Sequence, residues 1–334
     1  MARRSAVTLK ELAQALELSP STVSRVLNDP SGIDSRWASP ETNQKIYDLA
    51  TELGYVKNQY AASLRTAKSL LIGVVVPRLQ DYVLATMYEG IDEAALEHGY
   101  AAVVANSLDQ PATHDLRVRK FLDRRIDGLI LGDTPFDGAT LKSLDKEKVP
   151  FVLVNRRSPG HLSVTCNDQM GGRLVGEHFA EFGSKKIFLL AGDHRMSTSI
   201  DRTTGFIEAL AEQGIHLPVS HIAYGGFDTS SGEKATRDLL DAHGIPEAIF
   251  AVNDFAAIGA LGVLRERGLK VPEDVKVVGY NDTPLASGVG LTSVHSPMHE
   301  IGRRGFDLLL KNIQGEECES VQLDTNLVIR STSR

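Results

Sequence analysis

From Leu71 onward, short β-branched and aliphatic runs alternate with stretches of helical period over roughly 260 residues. No other feature constrains the fold as tightly. The strand candidates are residues 71–76, 101–105, 128–131, 151–154, 187–191, 248–252 and 275–280. Between them, residues 84–98, 170–182, 201–213 and 255–267 repeat their apolar positions with helical spacing. Several of these stretches end at a glycine suited to the left-handed position after a helix: Gly99, Gly183, Gly214 and Gly268. Strand–helix–strand alternation predicts an α/β fold with parallel sheets covered on both faces. The length exceeds one ordinary hydrophobic core, so two lobes are expected, divided near residues 155–164. Open α/β sheets bind ligands beyond the carboxyl ends of their strands, which directs attention to the residue after each run.

The first sixty residues are built differently. Thr8-Leu-Lys-Glu11 is a capping box, in which hydroxyl and carboxylate satisfy the exposed N–H groups of a helix start reciprocally. Leu9, Leu12, Ala13 and Leu16 follow at i, i+3, i+4 and i+7. After a tight turn at Glu17-Leu18-Ser19, Ser19 caps a second helix with Pro20 at its first position and Val23, Val26 and Leu27 as its apolar stripe. Ser39-Pro40 repeats the signal for a third helix, lined by Ile46, Leu49, Ala50 and Leu53 and stopped at Gly54. Two short helices separated by three residues have helix-turn-helix spacing. Residues 55–69 read as a connector that would be a marginal helix alone.

Composition excludes several classes. Hydrophobic residues make up 42% of the chain and charged residues 24%, the balance of a folded protein. The longest aliphatic stretch falls far short of the ~18 apolar residues a membrane helix needs. No apolar signal core follows the basic start, so a cytoplasmic chain without membrane contact is expected. Cys166 and Cys318 are too few for a disulfide scaffold or a four-cysteine zinc site and are expected as buried or half-buried thiols. No metal and no cofactor is expected. The net charge of −7 argues against a nucleic-acid partner if taken whole. Residues 1–66, however, hold eight Lys/Arg against seven Asp/Glu, so the acid belongs to the rest of the chain.

Thr8-Leu-Lys-Glu-Leu-Ala13, Leu18-Ser-Pro-Ser-Thr-Val-Ser-Arg-Val-Leu-Asn28 and Ser39-Pro-Glu-Thr42 resemble the DNA-binding domain of LacI/GalR-family transcriptional regulators. Leu53-Gly-Tyr55, Asn58 and Ser63-Leu-Arg-Thr66 resemble that family's hinge. Ile72-Gly-Val-Val-Val-Pro77, Asp127-Gly-Leu-Ile130, Asn253-Asp254, Val278-Gly-Tyr-Asn-Asp282 and Leu291-Thr-Ser-Val294 resemble its sugar-binding-protein-like core. The resemblance implies a helix-turn-helix domain over 1–56, a hinge over 57–69 and an effector-binding and dimerisation core over 70–334. That core would be two-lobed and of the periplasmic-binding-protein-like type I. The implied function is sequence-specific regulation of transcription, expected as repression, with operator affinity set by a small metabolite held between the lobes. The implied partners are double-stranded operator DNA, a sugar-like effector and a second copy of the chain.

By the same resemblance, Pro20, Ser21 and Arg25 face base edges, and Arg25 can donate two hydrogen bonds to a guanine. Pro20 stands where many relatives carry a larger polar or aromatic residue, which leaves only shape and methylene contacts. Thr22, Ser24 and Asn28 are implied to hold phosphates. Thr8, Ser19, Tyr55, Asn58 and Ala61 complete the DNA-facing set, with Leu64 as an apolar wedge in the minor groove. Residues 29–38 form a longer loop than the family usually carries and contain Trp37, the only tryptophan. Trp37 either packs on the small domain's surface or makes a wing-like extra contact.

The implied effector positions are Asp81, Val83, Leu84 and Arg156 in the first lobe. In the second lobe they are Thr198, Arg202, Phe227, Asn253, Asp254 and Asn281. Carboxylate and guanidinium groups suit vicinal hydroxyls, and Phe227 can stack on an apolar ring face. Relatives commonly carry Asp where Asn155 and Asn281 stand, so both an anionic ligand and a neutral sugar or polyol remain open. Arg202 has a structural salt bridge as its plain alternative. Residues 87–95 lie on a helix that helps form the family's subunit interface, and without a heptad extension after Arg334 a homodimer is expected. Rival readings are a regulator answering to a protein co-effector and a solute-binding protein of a transporter. An enzyme is not expected, because the chain has no G-x-S-x-G elbow, P-loop or dinucleotide-binding glycine motif after a strand.

Overall fold

The computed structural model describes residues 7–29, 31–55 and 68–334, and the chain divides into two compact units, Met1–Lys68 and Ser69–Arg334. In the first, α1 (Leu9–Ala15) begins at the Thr8 cap, whose backbone N–H donates to Glu11 Oε2 at 2.7 Å while its hydroxyl accepts from the Glu11 N–H. Helix α2 (Pro20–Asn28) starts at Ser19, whose Oγ accepts from the Thr22 N–H at 3.1 Å. Helix α3 (Pro40–Glu52) repeats the arrangement with Ser39 and Thr42. Each cap satisfies a donor that would otherwise be left open and contributes about 1 kcal/mol. Leu12, Ala13, Val23, Val26, Ile46 and Ala50 close into a single small core.

The second unit is two six-stranded sheets. The first contains β1 (Leu71–Val76), β2 (Ala101–Asn106), β3 (Gly128–Leu131), β4 (Phe151–Val154), β5 (Ser163–Cys166) and β11 (Val321–Leu323), in the order β11-β5-β4-β3-β1-β2. The second contains β6 (Ile187–Gly192), β7 (Ile222–Tyr224), β8 (Ala248–Ala251), β9 (Lys276–Asn281), β10 (Thr292–His295) and β12 (Asn326–Val328), in the order β12-β10-β9-β8-β6-β7. Every strand pair is parallel except β10 with β12. The helices of the unit are α4 (Tyr82–Glu97), α5 (Pro111–Leu122), α6 (Lys142–Glu147), α7 (Asp168–Glu181), α8 (Ser197–Glu212), α9 (Thr229–His243), α10 (Asp254–Glu266), α11 (Pro284–Gly288) and α12 (Met298–Gln314). Helices α7 and α8 cross at two glycines. A Cβ on Gly172 would meet the Arg202 carbonyl, and one on Gly205 would meet that of Gln169.

One sequence expectation is corrected here. The lobes do not divide at residues 155–164, because β5 pairs in parallel with β4 and belongs to the first sheet. The chain leaves that sheet at Asn167, returns through Ser296 and Pro297 to α12, and crosses again between β11 and β12, so three segments join the lobes. Within residues 87–95, Met87, Ile91, Ala94 and Ala95 are buried inside the chain, where α4 packs against α12. The face of α4 left at the surface carries Glu89, Asp92, Glu93 and Leu96, the last 75% exposed.

Candidate functional site

Two surfaces collect the residues singled out above. On α2, Val23 and Val26 are turned into the small core, which leaves Ser21, Ser24, Arg25 and Asn28 together on the opposite side. Their spacing of three and four residues is what places them on one face. Pro20 and Ser21 are exposed at the helix start. The hydroxyls of Ser21 and Thr22 both lie 2.8 Å from that of Ser19. Asn28 donates back to the Ser24 carbonyl at 2.6 Å, so its amide is engaged within the helix. Arg25 lies with its guanidinium carbon 4.8 Å from the centre of the Trp37 ring. Thr8 and Ser19 are both cap residues, and Tyr55 is half-buried against the small core. Asn58, Ala61 and Leu64 lie outside the described residues.

The second surface is a cavity of about 560 Å³ between the two lobes. Its lining comes largely from the segments that follow β1, β4, β6, β8 and β9, where the sheets end. Asp81, Val83, Leu84, Arg156, Thr198, Arg202, Phe227, Asn253 and Asn281 all line it. Asp81 caps α4 by accepting from the Val83 N–H at 3.0 Å, and burial pushes its carboxyl above the ordinary range. Arg156 is 6% exposed and donates to Thr198 Oγ1 at 2.8 Å, a bond that runs from one lobe to the other. Its Nε has no partner, and among the described residues no carboxylate forms an ion pair with it. Burial, and then the charge of Arg202, pull its pKa below the ordinary value.

Arg202 is committed to the protein. Its Nε donates to Asp168 at 2.7 Å and an Nη to the Val252 carbonyl at 2.6 Å, and its guanidinium carbon lies 3.6 Å from the centre of the Tyr280 ring. Asn253 caps α10 through the Ala256 N–H and donates to the Phe227 carbonyl, which ties the aromatic residue to the strand end. Phe227 has room because Gly192, at a φ of +71°, has no side chain to meet its ring. Asn281, at φ 104°, is buried with its Oδ1 unpartnered.

Asp254 does not reach this cavity. It is fully buried, with its carboxylate accepting from the Thr283 N–H at 2.7 Å and from Ser293 Oγ, and it holds β10 and the segment after β9 together. Its place beside Asn253 in sequence is misleading, because consecutive residues at a helix start point in different directions. Sequence reasoning also missed Asp109, Asp193, Asp228 and Phe255 in the lining. Asp193 follows β6 directly, so the rule that ligands sit beyond strand ends was signal enough to find it. Cys166 is buried under this site with its thiol pushed by burial up to about 12, which makes it an inert thiol.

Residues 8–58 match the model for "Bacterial regulatory proteins, lacI family", and residues 69–331 match that for "Periplasmic binding proteins and sugar binding domain of LacI family". The chain belongs to the LacI family. This LacI-family chain is 30% identical over 342 residues to the HTH-type transcriptional repressor CytR of Escherichia coli (strain K12), covering 99% of the chain and 98% of that protein. It is 27% identical over 331 residues to the repressor PurR of Klebsiella pneumoniae (strain 342), covering 97% and 96%. A crystal structure of the lac repressor dimer bound to operator and the anti-inducer ONPF superposes with a TM-score of 0.89 at 28% identity, covering 98% of this chain and 99% of that one. A transcriptional regulator CelR–cellobiose complex gives 0.73 at 31% identity, with coverage of 98% and 99%. The LacI-family chain is thus a DNA-binding transcriptional regulator with a core of the ligand-controlled kind. Among its described residues no helix is long and apolar enough to cross a membrane.

Proposed function

We propose that this regulator is a cytoplasmic homodimeric repressor whose operator affinity is set by a small hydroxylated metabolite closed between its lobes. The observation that carries the reading is Arg156, a buried guanidinium in the cleft wall whose Nε–H is unpartnered and which, among the described residues, has no paired carboxylate. A buried charge in that state is costly unless a ligand completes it. Asn155 and Asn281 offer hydroxyl-matching donors and acceptors around it, and Phe227, tied in place by Asn253, offers a ring face. The cavity of about 560 Å³ suits a sugar, sugar acid or nucleoside.

Five bonds already join the lobes beside the cavity: Arg156 to Thr198, two from Arg157 to Asp201, the Arg157 N–H to Ser197 Oγ, and the Phe136 N–H to the Arg195 carbonyl. An effector that touches both walls favours the arrangement in which those bonds are made. It shifts DNA affinity only by its differential affinity for the two lobe arrangements. In this reading residues 1–56 bind DNA through Pro20, Ser21 and Arg25, residues 57–69 are the hinge with Asn58, Ala61 and Leu64 on the operator side, and residues 70–334 sense the effector. No reaction is assigned to the cleft.

The test is operator binding by the full chain, measured against sugars, sugar acids, polyols and nucleosides. One class is expected to change the operator affinity and to raise the melting temperature of the protein. Specific DNA binding that no compound alters, with no shift in melting, would refute effector control and favour a protein co-effector.

A further inference from the structure

We propose that Trp37 is a positioning residue for DNA reading: its ring carries both the Arg25 and the Arg36 guanidinium and presents the two to one operator. The proposal rests on the reading that Arg25 meets a base edge. The guanidinium carbons of Arg25 and Arg36 lie 4.8 Å and 5.1 Å from the centre of the same indole ring. Trp37 remains 43% exposed, so the ring is a surface platform. Among the described residues neither arginine is in an ion pair. Two cations held at one ring without an ion pair make a local positive field, and beside the exposed face of α2 the polyanion that field suits is nucleic acid.

The loop that supplies the platform is tied at both ends. Asp29, at the end of α2, accepts from the Ser31 N–H at 3.0 Å and from Ser35 Oγ at 2.9 Å, and Ser35 Oγ accepts from the Trp37 N–H at 3.3 Å. Asn43 of α3, itself buried, donates to the carbonyls of Ile33 at 3.0 Å and Ser35 at 2.6 Å. These bonds fix where Trp37 stands relative to α2. They turn residues 31–37 into a second contact element, with Arg25 directed to guanine and Arg36 to phosphate.

The experiment uses the full-length chain and the duplex it selects from a randomised double-stranded library. Trp37 is the only tryptophan, so its emission reports this loop alone. The selected duplex is expected to change that emission, and unchanged emission at saturation overturns the proposal. Binding is then measured on the selected duplex and on versions with the guanine pair replaced. Trp37→Ala is expected to lose about fivefold in discrimination, while Trp37→Phe keeps it because a ring still supports the guanidinium. Arg36→Ala, a surface change that leaves the small core intact, is expected to weaken all duplexes by one common factor and to lower the salt slope by about one. Wild-type discrimination in Trp37→Ala, together with a lost preference in Arg25→Ala, overturns the platform and leaves the Arg25 reading standing. Undiminished discrimination in Arg25→Ala removes that reading, and the platform with it.

Discussion

Arg156 on the first lobe donates to the Thr198 hydroxyl on the second at 2.8 Å, and the Nε–H of the same guanidinium has no partner among the described residues. One side chain therefore both closes the cleft and leaves a donor for whatever fills it. Arg156→Met keeps an unbranched apolar stem and removes every donor. It is expected to weaken the effector by at least about tenfold, the value of a lost charge-assisted hydrogen bond, and, because the bond to Thr198 goes with it, to move operator affinity without effector in the direction opposite to the effector's own action. Effector titrations of DNA binding by both proteins measure this. A variant that responds at the wild-type effector concentration would show that Arg156 serves lobe contact alone.

How much of this was legible depends on the range over which each feature is decided. The caps at Thr8, Ser19 and Ser39 were readable because cap, proline and apolar stripe all fall within one or two turns. Six strand positions were readable because a buried parallel strand is a nearly unbroken apolar run, and the edge strand Ala101–Asn106 was readable from its run of alanine and valine alone. The strand Ser163–Cys166 was not, since its buried Ser163 and Thr165 make it look like a turn, and the misplaced lobe boundary followed from that. Asp254 was misassigned because its carboxylate is claimed by Ser293, 39 positions further on. The stacking of Arg25 and Trp37 was hidden for the same kind of reason: it depends on a loop held by Asn43 on another helix.

Arg202 has a different balance from Arg156. Its partner Asp168 is buried, at 3% exposure, and truncating the arginine strands that carboxylate. Arg202→Ala is expected to cost about 3–5 kcal/mol of stability. The measurement is urea unfolding of the full chain, followed through the core's circular dichroism. Loss of effector response in this variant counts as a pocket effect only at temperatures where the variant is folded. An unchanged urea midpoint would contradict a structural role for the pair.

Asp254 supplies a pH signature. Burial raises its carboxyl from 3.8 to about 6, against the bonds from Ser293 and Thr283, which act in the lowering direction. A raised carboxyl pKa means that the folded protein holds a proton the unfolded chain has already released. The associated stabilisation is therefore present near pH 4 and is lost as the pH rises through about 6. Asp254→Asn carries no ionisable group, so its stability relative to wild type should rise by about 2 kcal/mol from pH 4 to pH 7. Urea unfolding of both proteins across that range gives the difference directly. A pH-independent difference would mean that ionising Asp254 costs the fold nothing.

The second lobe-to-lobe contact separates closure from ligand recognition. Arg157 donates from Nε to Asp201 at 2.7 Å, makes a second bond to the same carboxylate, and lies with its guanidinium carbon 4.8 Å from the centre of the Phe136 ring. Neither Arg157 nor Asp201 lines the cavity, so the pair can act on an effector only through the lobe arrangement. Asp201→Asn removes the charge and one acceptor, and the joined arrangement should lose population. Effector affinity is then expected to fall about three- to tenfold, because the binding-competent fraction is smaller. Linkage fixes a second outcome. A mutation that disfavours the effector-preferred arrangement must move operator affinity, in the absence of effector, opposite to the effector itself. If the effector releases DNA, Asp201→Asn binds operator more tightly than wild type; if it promotes binding, the variant binds more weakly. A variant with reduced effector affinity and unaltered operator affinity would mean that the arrangement joined by Arg157 and Asp201 is not the one that DNA senses.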